Sequence, residues 1–465
     1  MKRGRRNRYL ITLVMSLAIV LAACGATNPD ATTTTAASGA ESGGGGGDES
    51  TTTSEATAAP AENGPGVSAE EVRVAFIVTD LERVQKALGL DVPSQGDLEA
   101  QILAITDYIN ANGGIGGRTM VPFVRPFDAL LDSPTVEEEL CNGITQDDQV
   151  FAVVMTGQFQ DNARPCYAAR NTLMLDTTFY PIDQDGYEEL APYLWSYHLT
   201  EYPTMMGGLV AGLAFSGWFE GSTLGILGAD NELSHKAYDE TVKPLLDELG
   251  VTVAEEQWVD ATDTATLQPG IDQAVLAFKA AEITHVVTIG GSRIQPFFMQ
   301  SAEFQNYQPI YAMTSYDSPD FSINSYPDSM PGAAGVSMVP GFDVADDQHP
   351  FPANETEELC VSILESTGET FDERKHARVG IQYCDAALLL QKASEGLTDA
   401  LNASLWRDAV WELGDSFQLG TTYETLFLPG SYTGANAFRV TAFNAECSCL
   451  ELQSGPQPFP REAGS

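Results

Sequence analysis

Three groups of residues in this chain carry usable chemistry: five histidines, seven cysteines, and a set of aspartates and threonines that follow short apolar runs. The histidines, His198, His235, His285, His349 and His376, are scattered, and none sits at a spacing that pairs it with a nucleophile. The chain has no Gly-x-Ser-x-Gly elbow, no His-Glu-x-x-His helix and no Gly-x-x-x-x-Gly-Lys-Ser/Thr loop. An exported hydrolase would need one of these or an equivalent constellation, so binding without catalysis is expected. No zinc-type cysteine and histidine spacing occurs. The acidic loop Asp343-Val344-Ala345-Asp346-Asp347 lacks the spaced ligands of a calcium site and is read as a solvated turn. Neither a metal nor a cofactor is expected.

Cys24 differs from the other cysteines in what precedes it. Lys2, Arg3, Arg5, Arg6 and Arg8 are followed by an uncharged stretch from Tyr9 to Leu21. A membrane span needs about 20 apolar residues, and this run stops short at Ala22-Ala23, as a signal peptide does. Leu21-Ala22-Ala23-Cys24 resembles the bacterial lipobox, which implies removal of residues 1–23 and lipidation of Cys24. From 24 to 69 the composition is mostly Thr, Ala, Ser, Gly and Glu, too polar to offset its own ordering entropy by burial. Such a coil spans roughly 35 to 40 Å on average and is read as a tether. The expected location is the extracytoplasmic face of a bacterial cell membrane, reached through the lipid alone.

Cys141, Cys166, Cys360, Cys384, Cys447 and Cys449 form an even set in an exported chain, the pattern of disulfides. Fifteen pairings are formally open. Cys141 with Cys166 and Cys360 with Cys384 are favoured because each spans one local βα region, and each such loop contributes on the order of 3 kcal/mol. Cys447-Ser448-Cys449 closes a tight ring or pairs elsewhere. The net charge of -42 includes the five cations of the signal peptide. The remainder is more negative still, and that field excludes nucleic acid and anionic lipid as partners.

The elements that must position any site alternate. Val72–Val78 is an apolar run rich in β-branched residues, followed by Leu98, Ile102, Ile105 and Ile109 at helical spacing, with Asp97 as N-cap and Gly113-Gly114 as the stop. Further strands are expected at 121–124, 150–155, 172–175 and 194–197. A second series has strands at 223–227, 251–258, 285–289 and 310–313, with helices at 236–249, 267–281 and 295–304. Later come a strand at 335–339, helices around 379–395 and 405–411, and a closing β pair at 437–443 and 449–452. Strand and helix alternating twice over predict two α/β lobes with parallel sheets.

The junction Ile109-Asn110-Ala111-Asn112-Gly113-Gly114-Ile115-Gly116-Gly117-Arg118 resembles the type I periplasmic binding proteins of the Leu/Ile/Val-binding-protein-like branch, where the first helix ends in Asn-x-x-Gly-Gly-Ile-x-Gly. Thr223–Asp230, Val286–Gly291 and Met330–Val336 are similar to further junctions of that family, and the resemblance covers most of residues 70 to 452. It implies an α/β fold of two doubly wound parallel-sheet lobes joined by three crossovers. The expected partition is an N-terminal lobe of 70–200 plus 337–425, a C-terminal lobe of 201–336 plus 426–455, and a tail of 456–465. It also implies a monomeric solute-binding lipoprotein of an ABC importer, with the permease as partner and a polar amino acid or amide-like solute as cargo. A ligand sensor of the same fold, signalling to a membrane receptor, is the alternative.

By position at the carboxyl ends of cleft strands, the resemblance assigns ligand contacts to Gly157, Gln158 and Phe159, then Asp176, Thr177, Thr178 and Phe179, in the first lobe. In the second lobe it assigns Tyr202, Asp230, Glu232, Gly291, Ser292, Tyr316 and Asp317. Amino-acid binders of that branch place a serine a few residues after the third strand to hold the ligand carboxylate; here Gln158-Phe159-Gln160-Asp161-Asn162 stands there. The aspartates and Glu232 are acceptors suited to an ammonium or to sugar hydroxyls.

Overall fold

The computed structural model describes residues 62–80, 83, 84, 86, 93–262, 264–292 and 294–459. The expected signal peptide, Cys24 and most of the tether lie outside them. The first sheet contains β1 Glu71–Thr79, β2 Thr119–Phe127, β3 Ala152–Met155, β4 Leu173–Asp176 and β5 Leu194–Trp195, all parallel, in the order β2-β1-β3-β4-β5. The second contains β6 Leu224–Ala229, β7 Val253–Val259, β8 His285–Ile289, β9 Ile310–Thr314 and β10 Ala334–Ser337 in parallel. Its far edge is antiparallel: β11 Ala437–Asn444 pairs with β10, with β12 Cys449–Leu452 and with β13 Gln457–Pro458. Every residue of β3, β4 and β6 is buried, which is why these strands read as unbroken apolar runs rather than alternating ones.

Local chemistry explains where the first helix starts and stops. Asp97 Oδ1 accepts from the Ala100 amide at 3.0 Å, capping helix Leu98–Ala111. At its end Gly114 adopts φ +66°, and a Cβ there would lie 2.0 Å from the Arg118 carbonyl oxygen. The Gln391 amide donates to the carbonyls of Ile109, Asn112 and Gly114, satisfying groups the helix end leaves open. Gln391 lies on helix Arg374–Ser394, which therefore grips the first helix by its end.

Two disulfides staple neighbouring helices: Cys141–Cys166 joins Pro134–Asn142 to Ala163–Ala168, and Cys360–Cys384 joins Glu355–Glu365 to Arg374–Ser394. Cys447 and Cys449 bond to each other across Ser448.

The first core runs from Val72 to Tyr197 and from Cys360 to Tyr432, whereas residues from Leu199 to Val344 and from Ala435 to Phe459 form the core of the second lobe. The first and third crossings run side by side, with the Ser196 amide on the Tyr432 carbonyl at 3.1 Å and the Ala435 amide on that of Leu199 at 3.0 Å. Four expected boundaries move. Met338, Val339 and Val344 stay in the second core while Phe351 packs on the first, so the second crossing falls after 344 rather than at 337. Phe427 and Tyr432 belong to the first core, so the third crossing follows residue 432 rather than 425. Residues 62–69 are docked rather than tether, since the Gly64 amide donates to Leu401 and Val67 bridges to Val72. Gln457 and Pro458 are a strand and Phe459 is buried, so the tail starts later than 456. Asp343 is also not in a solvated turn. Its Oδ2 accepts from Ser315 Oγ and from the amides of Met338 and Val339, and burial lifts its pKa to about 7.

Gly114→Ala should destabilise the fold by about 2 kcal/mol or more, because it meets both a left-handed φ and a backbone oxygen. A urea midpoint unchanged from that of the parent chain would show that the helix stop is adaptable.

Candidate functional site

Each sheet reverses its strand order once, at β1 between β2 and β3 and at β6 between β7 and β8. Loops leaving the carboxyl ends beside such a reversal diverge and leave a crevice. A cavity open to solvent lies where the crevices of the two sheets face each other. Phe159, Gln160 and Asp161 after β3 line it from the first lobe, with Phe179, Tyr180 and Pro181 after β4. The opposite wall is Ala229, Asp230 and Asn231 after β6, Ala261 and Thr262 after β7, and Gly290 and Ser292 after β8.

Of the residues assigned from sequence, Phe159, Phe179, Asp230 and Ser292 line this cavity. The other ten do not, and most are committed to the protein itself. Asp176 is fully buried and takes Arg164 Nε on Oδ2 at 2.7 Å while its Oδ1 accepts from the Thr178 amide at 2.8 Å. Thr177 Oγ1 donates to the Met155 carbonyl, and Thr178 Oγ1 accepts from the Tyr180 amide. Gln158 donates to Glu137 beneath the loop, and Gly157 turns the chain against Thr79. Burial is the main reason the Glu137 carboxyl is pushed up to about 8. Asp317 caps its own turn by accepting from Thr314, with Thr288 on its other oxygen, and burial lifts it to about 7. Glu232 is exposed on the first turn of helix Glu232–Lys236, outside the lining.

Tyr202, Tyr316 and Gly291 shape the cavity without lining it. Phe179 holds φ +55° and pushes its ring into the core of the second lobe, 6.4 Å from the Tyr316 ring, 4.8 Å from Phe342 and 5.4 Å from His198. Tyr316 is 1% exposed and stacks edge-on against Tyr202, whose hydroxyl accepts from the Gly290 amide at 2.6 Å. These rings fill the inner end of the crevice, near the hinge. Burial drives the His198 pKa down to about 3, so that ring is neutral. Gly291 brings the walls together: a Cβ there would sit 2.9 Å from Pro181 of the other lobe.

Gln160, Asp161, Tyr180, Asn231 and Thr262 were not expected. Gln160 Nε2 donates to Asp132 and reaches the Thr262 carbonyl across the cleft at 3.3 Å. Tyr180 donates its hydroxyl to Asp161. Asp230 Oδ1 meets His235 Nε2 at 2.9 Å, and the His235 ring lies 3.9 Å from that of Trp258. Thr262 could have been found by extending the carboxyl-end rule to the strand expected at 251–258.

A second bridge closes the rim. Lys236 of the second lobe donates to Asp183 Oδ2 at 2.7 Å and also to Asp185, both in the first. Burial alone would raise the Asp183 carboxyl, but hydrogen bonds from Lys236 and from the Gly186 amide outweigh it and hold it below the ordinary carboxylate value. The Lys236 ammonium is raised by the same two partners.

Two α/β lobes with a solvent-open crevice at facing strand ends are the architecture of a bilobed binding protein. Residues 92–354 match the family profile described as periplasmic binding protein, and the chain belongs to that family. No curated protein matches the sequence. Among solved structures, the chain is similar to the branched-chain amino acid transporter substrate-binding protein LivJ of Streptococcus pneumoniae in complex with isoleucine, at 13% identity and TM-score 0.55, over 83% of this chain and 100% of that one. It is also similar to a solute-binding protein of an ABC transporter from Rhodopseudomonas palustris in complex with 3,4-dihydroxybenzoic acid, at 12% identity and TM-score 0.59, over 85% and 99%. A fatty acid ABC transporter substrate-binding protein from Thermomonospora curvata matches at 12% identity and TM-score 0.56, over 85% and 95%. The shared property is the fold.

Asp176→Ala should cost about 3 to 5 kcal/mol of stability by leaving the Arg164 guanidinium buried and unpaired; a loss under about 1 kcal/mol in denaturant unfolding would contradict the pairing. Lys236→Met should enlarge the ligand-free chain in solution scattering. Roughly 1 M salt should enlarge the parent chain and leave the variant unmoved, as an ion pair at a solvated rim is screened. Because the Asp183 carboxyl is depressed, its contribution is complete above the ordinary carboxylate pKa near 3.9 and fades as pH falls below it. A variant of unchanged radius would remove Lys236 from the closure.

Proposed function

We propose that this chain is the extracytoplasmic solute-binding component of an ABC importer, capturing a small polar solute by closure of its two lobes and presenting the closed form to a membrane permease. The supporting observation is the cavity itself, walled by strand-end loops of both sheets and bridged by Gln160, Lys236 and Pro181. A solute that touches both walls has differential affinity for the closed form, the one thermodynamic route by which a ligand shifts such an equilibrium. A micromolar affinity corresponds to about -8 kcal/mol, ample for a hinge whose states differ by a few kcal/mol. The lining combines aromatic rings with hydroxyl, amide and carboxylate groups, which suits a small solute rich in hydrogen-bond donors, an amino acid or amide among them. The lipobox-like residues before Cys24 support a lipid tether holding the domain outside the membrane.

The full chain, purified natively, should carry or accept a solute that shrinks its radius of gyration. At 100 times its Kd that solute should add about 2.7 kcal/mol of stability. Tight binding of a solute with no compaction, or turnover of that solute, would overturn the proposal.

A further inference from the structure

The loop after β3 that walls the cleft is fastened from behind at every second residue. Gln158 Nε2 donates to Glu137 Oε2, Gln160 Nε2 to Asp132 Oδ2 at 2.9 Å, and Asn162 Nδ2 to the Pro134 carbonyl at 2.8 Å. Between these fastenings Phe159 and Asp161 line the cavity. All three acceptors lie within residues 132–137, at the start of helix Pro134–Asn142, which the Cys141–Cys166 bond ties to the helix that follows the loop. The Phe159 amide also bonds to the Glu137 carboxyl. The shape of this wall therefore hangs on two acidic side chains.

Those two side chains are bonded to each other. Glu137 is fully buried, and the half-buried Asp132 carboxyl lies within hydrogen-bonding reach of it. Two carboxylates are acceptors only and cannot make that bond, whereas a carboxylic acid and a carboxylate can. Glu137 Oε1 accepts from no N–H or O–H donor, as suits an oxygen that carries the proton and donates it, while Oε2 stays the acceptor for Gln158. Asp132, from the turn before the helix, and Tyr167, from helix Ala163–Ala168, are the titratable groups that face Glu137, and neither brings a positive charge. A second negative charge in this place is therefore strongly disfavoured.

Resting on the reading of the cleft as a solute site, we infer that Glu137 and Asp132 share one proton and act as the positioning pair of the cleft wall, which is set for a solute while the proton is held and loosens when it is lost. The step is a simple deprotonation: hydroxide takes the proton as water on the Asp132 side, which solvent reaches, and leaves two carboxylates that repel. Burial above all, with the Asp132 charge adding to it and the Gln158 bond opposing it, lifts Glu137 to about 8. A carboxyl raised in the folded chain contributes stability that is complete below the ordinary carboxylate value and is lost as pH rises through the folded one, so the wall is firm at neutral pH and loosens in alkali.

Hydrogen exchange read by mass spectrometry on the full chain, with no solute added, reports on the loop directly. After correction for the intrinsic pH dependence of exchange, protection of the amides at 158–162 should fall about tenfold or more between about pH 6.5 and about pH 9.5 in the parent chain. Glu137→Gln keeps an acceptor for Gln158 and a donor for Asp132 but cannot ionise, so its protection should stay level. Asp132→Asn should flatten the profile as well, and decides the matter if the first variant folds poorly. Infrared difference spectra over the same range should lose a carboxylic-acid carbonyl band in the parent chain that Glu137→Gln never shows; Asp317, Asp343 and Asp385, lifted to about 7 elsewhere in the molecule, titrate in both chains and cancel. Equal protection across the range in the parent chain, or a step that survives in both variants, would overturn the inference. Because no solute is added, that result leaves solute capture standing, and a chain that shows the step yet yields no solute counts against the function of the cleft and not against the pair.

Discussion

The buried pair of Arg164 and Asp176 fixes the part of the molecule that everything else in the cleft is built around. Arg164 leaves a short helix behind the β3 loop, binds the carboxylate at the end of β4, and reaches the Tyr180 carbonyl two loop residues beyond Thr178. Removing two charges from water is costly, and the attraction between them recovers that cost only with good geometry and with their remaining hydrogen-bonding groups satisfied. Here the second carboxylate oxygen holds the Thr178 amide. The loop is thereby forced into one shape, with Phe179 at positive φ driven into the opposite lobe and Tyr180 turned to the cavity. A non-glycine residue held left-handed costs of order 1 to 3 kcal/mol, so the anchored ends are what make that conformation persist.

Several contacts join the lobes, among them the Arg378 ion pair with Asp320 and the Gln160 bond to Thr262, and two further groups flank the cavity. Near the hinge, Phe179, Tyr316, Tyr202 and Phe342 pack ring against ring, the first three buried and Phe342 half-buried. Such pairs contribute about 0.5 to 1.5 kcal/mol each beyond their buried area. At the rim, Lys236 spans to two aspartates where solvent and salt still reach it, and exposed ion pairs contribute at most about 1 kcal/mol. Of these two groups the apolar plug supplies the larger share of the cohesion. Between the two lies the solvent-open cavity.

Secondary structure was legible because it rests on short-range chemistry. Parallel strands buried on both faces leave apolar runs, and Asp97 and Gly113-Gly114 mark helix ends by capping and by φ. Lobe boundaries were less legible, because Met338 to Val344 and Phe427 to Tyr432 carry no local mark of which core they enter. The site was legible only as a set of loops. Asp176 and Asp230 look alike in sequence, each an aspartate ending an apolar strand. What separates them is Arg164, whose reach to one and not the other depends on how the β3 helix packs. The aromatics divide in the same way: Phe159 lines the cavity and Tyr316 is buried, though both follow strands as expected. Thr262 and Tyr180 were overlooked because the resemblance directed attention to fewer loops than the two sheets bring together.

The chain's large acidic surplus and its acidic cleft are separate facts with different reach. At physiological ionic strength charge is screened over about 8 Å, so most of the surface carboxylates act on a solute only during its approach, raising the local concentration of cations near the lobes. In the crevice Asp161 and Asp230 stand at contact range of anything that enters, but both are exposed and solvent still surrounds them. The long-range term acts on encounter rate alone. The long-range field does not set the charge of the crevice, since one lysine or arginine at a lining position would offset a carboxylate locally and leave the field beyond a Debye length almost unchanged.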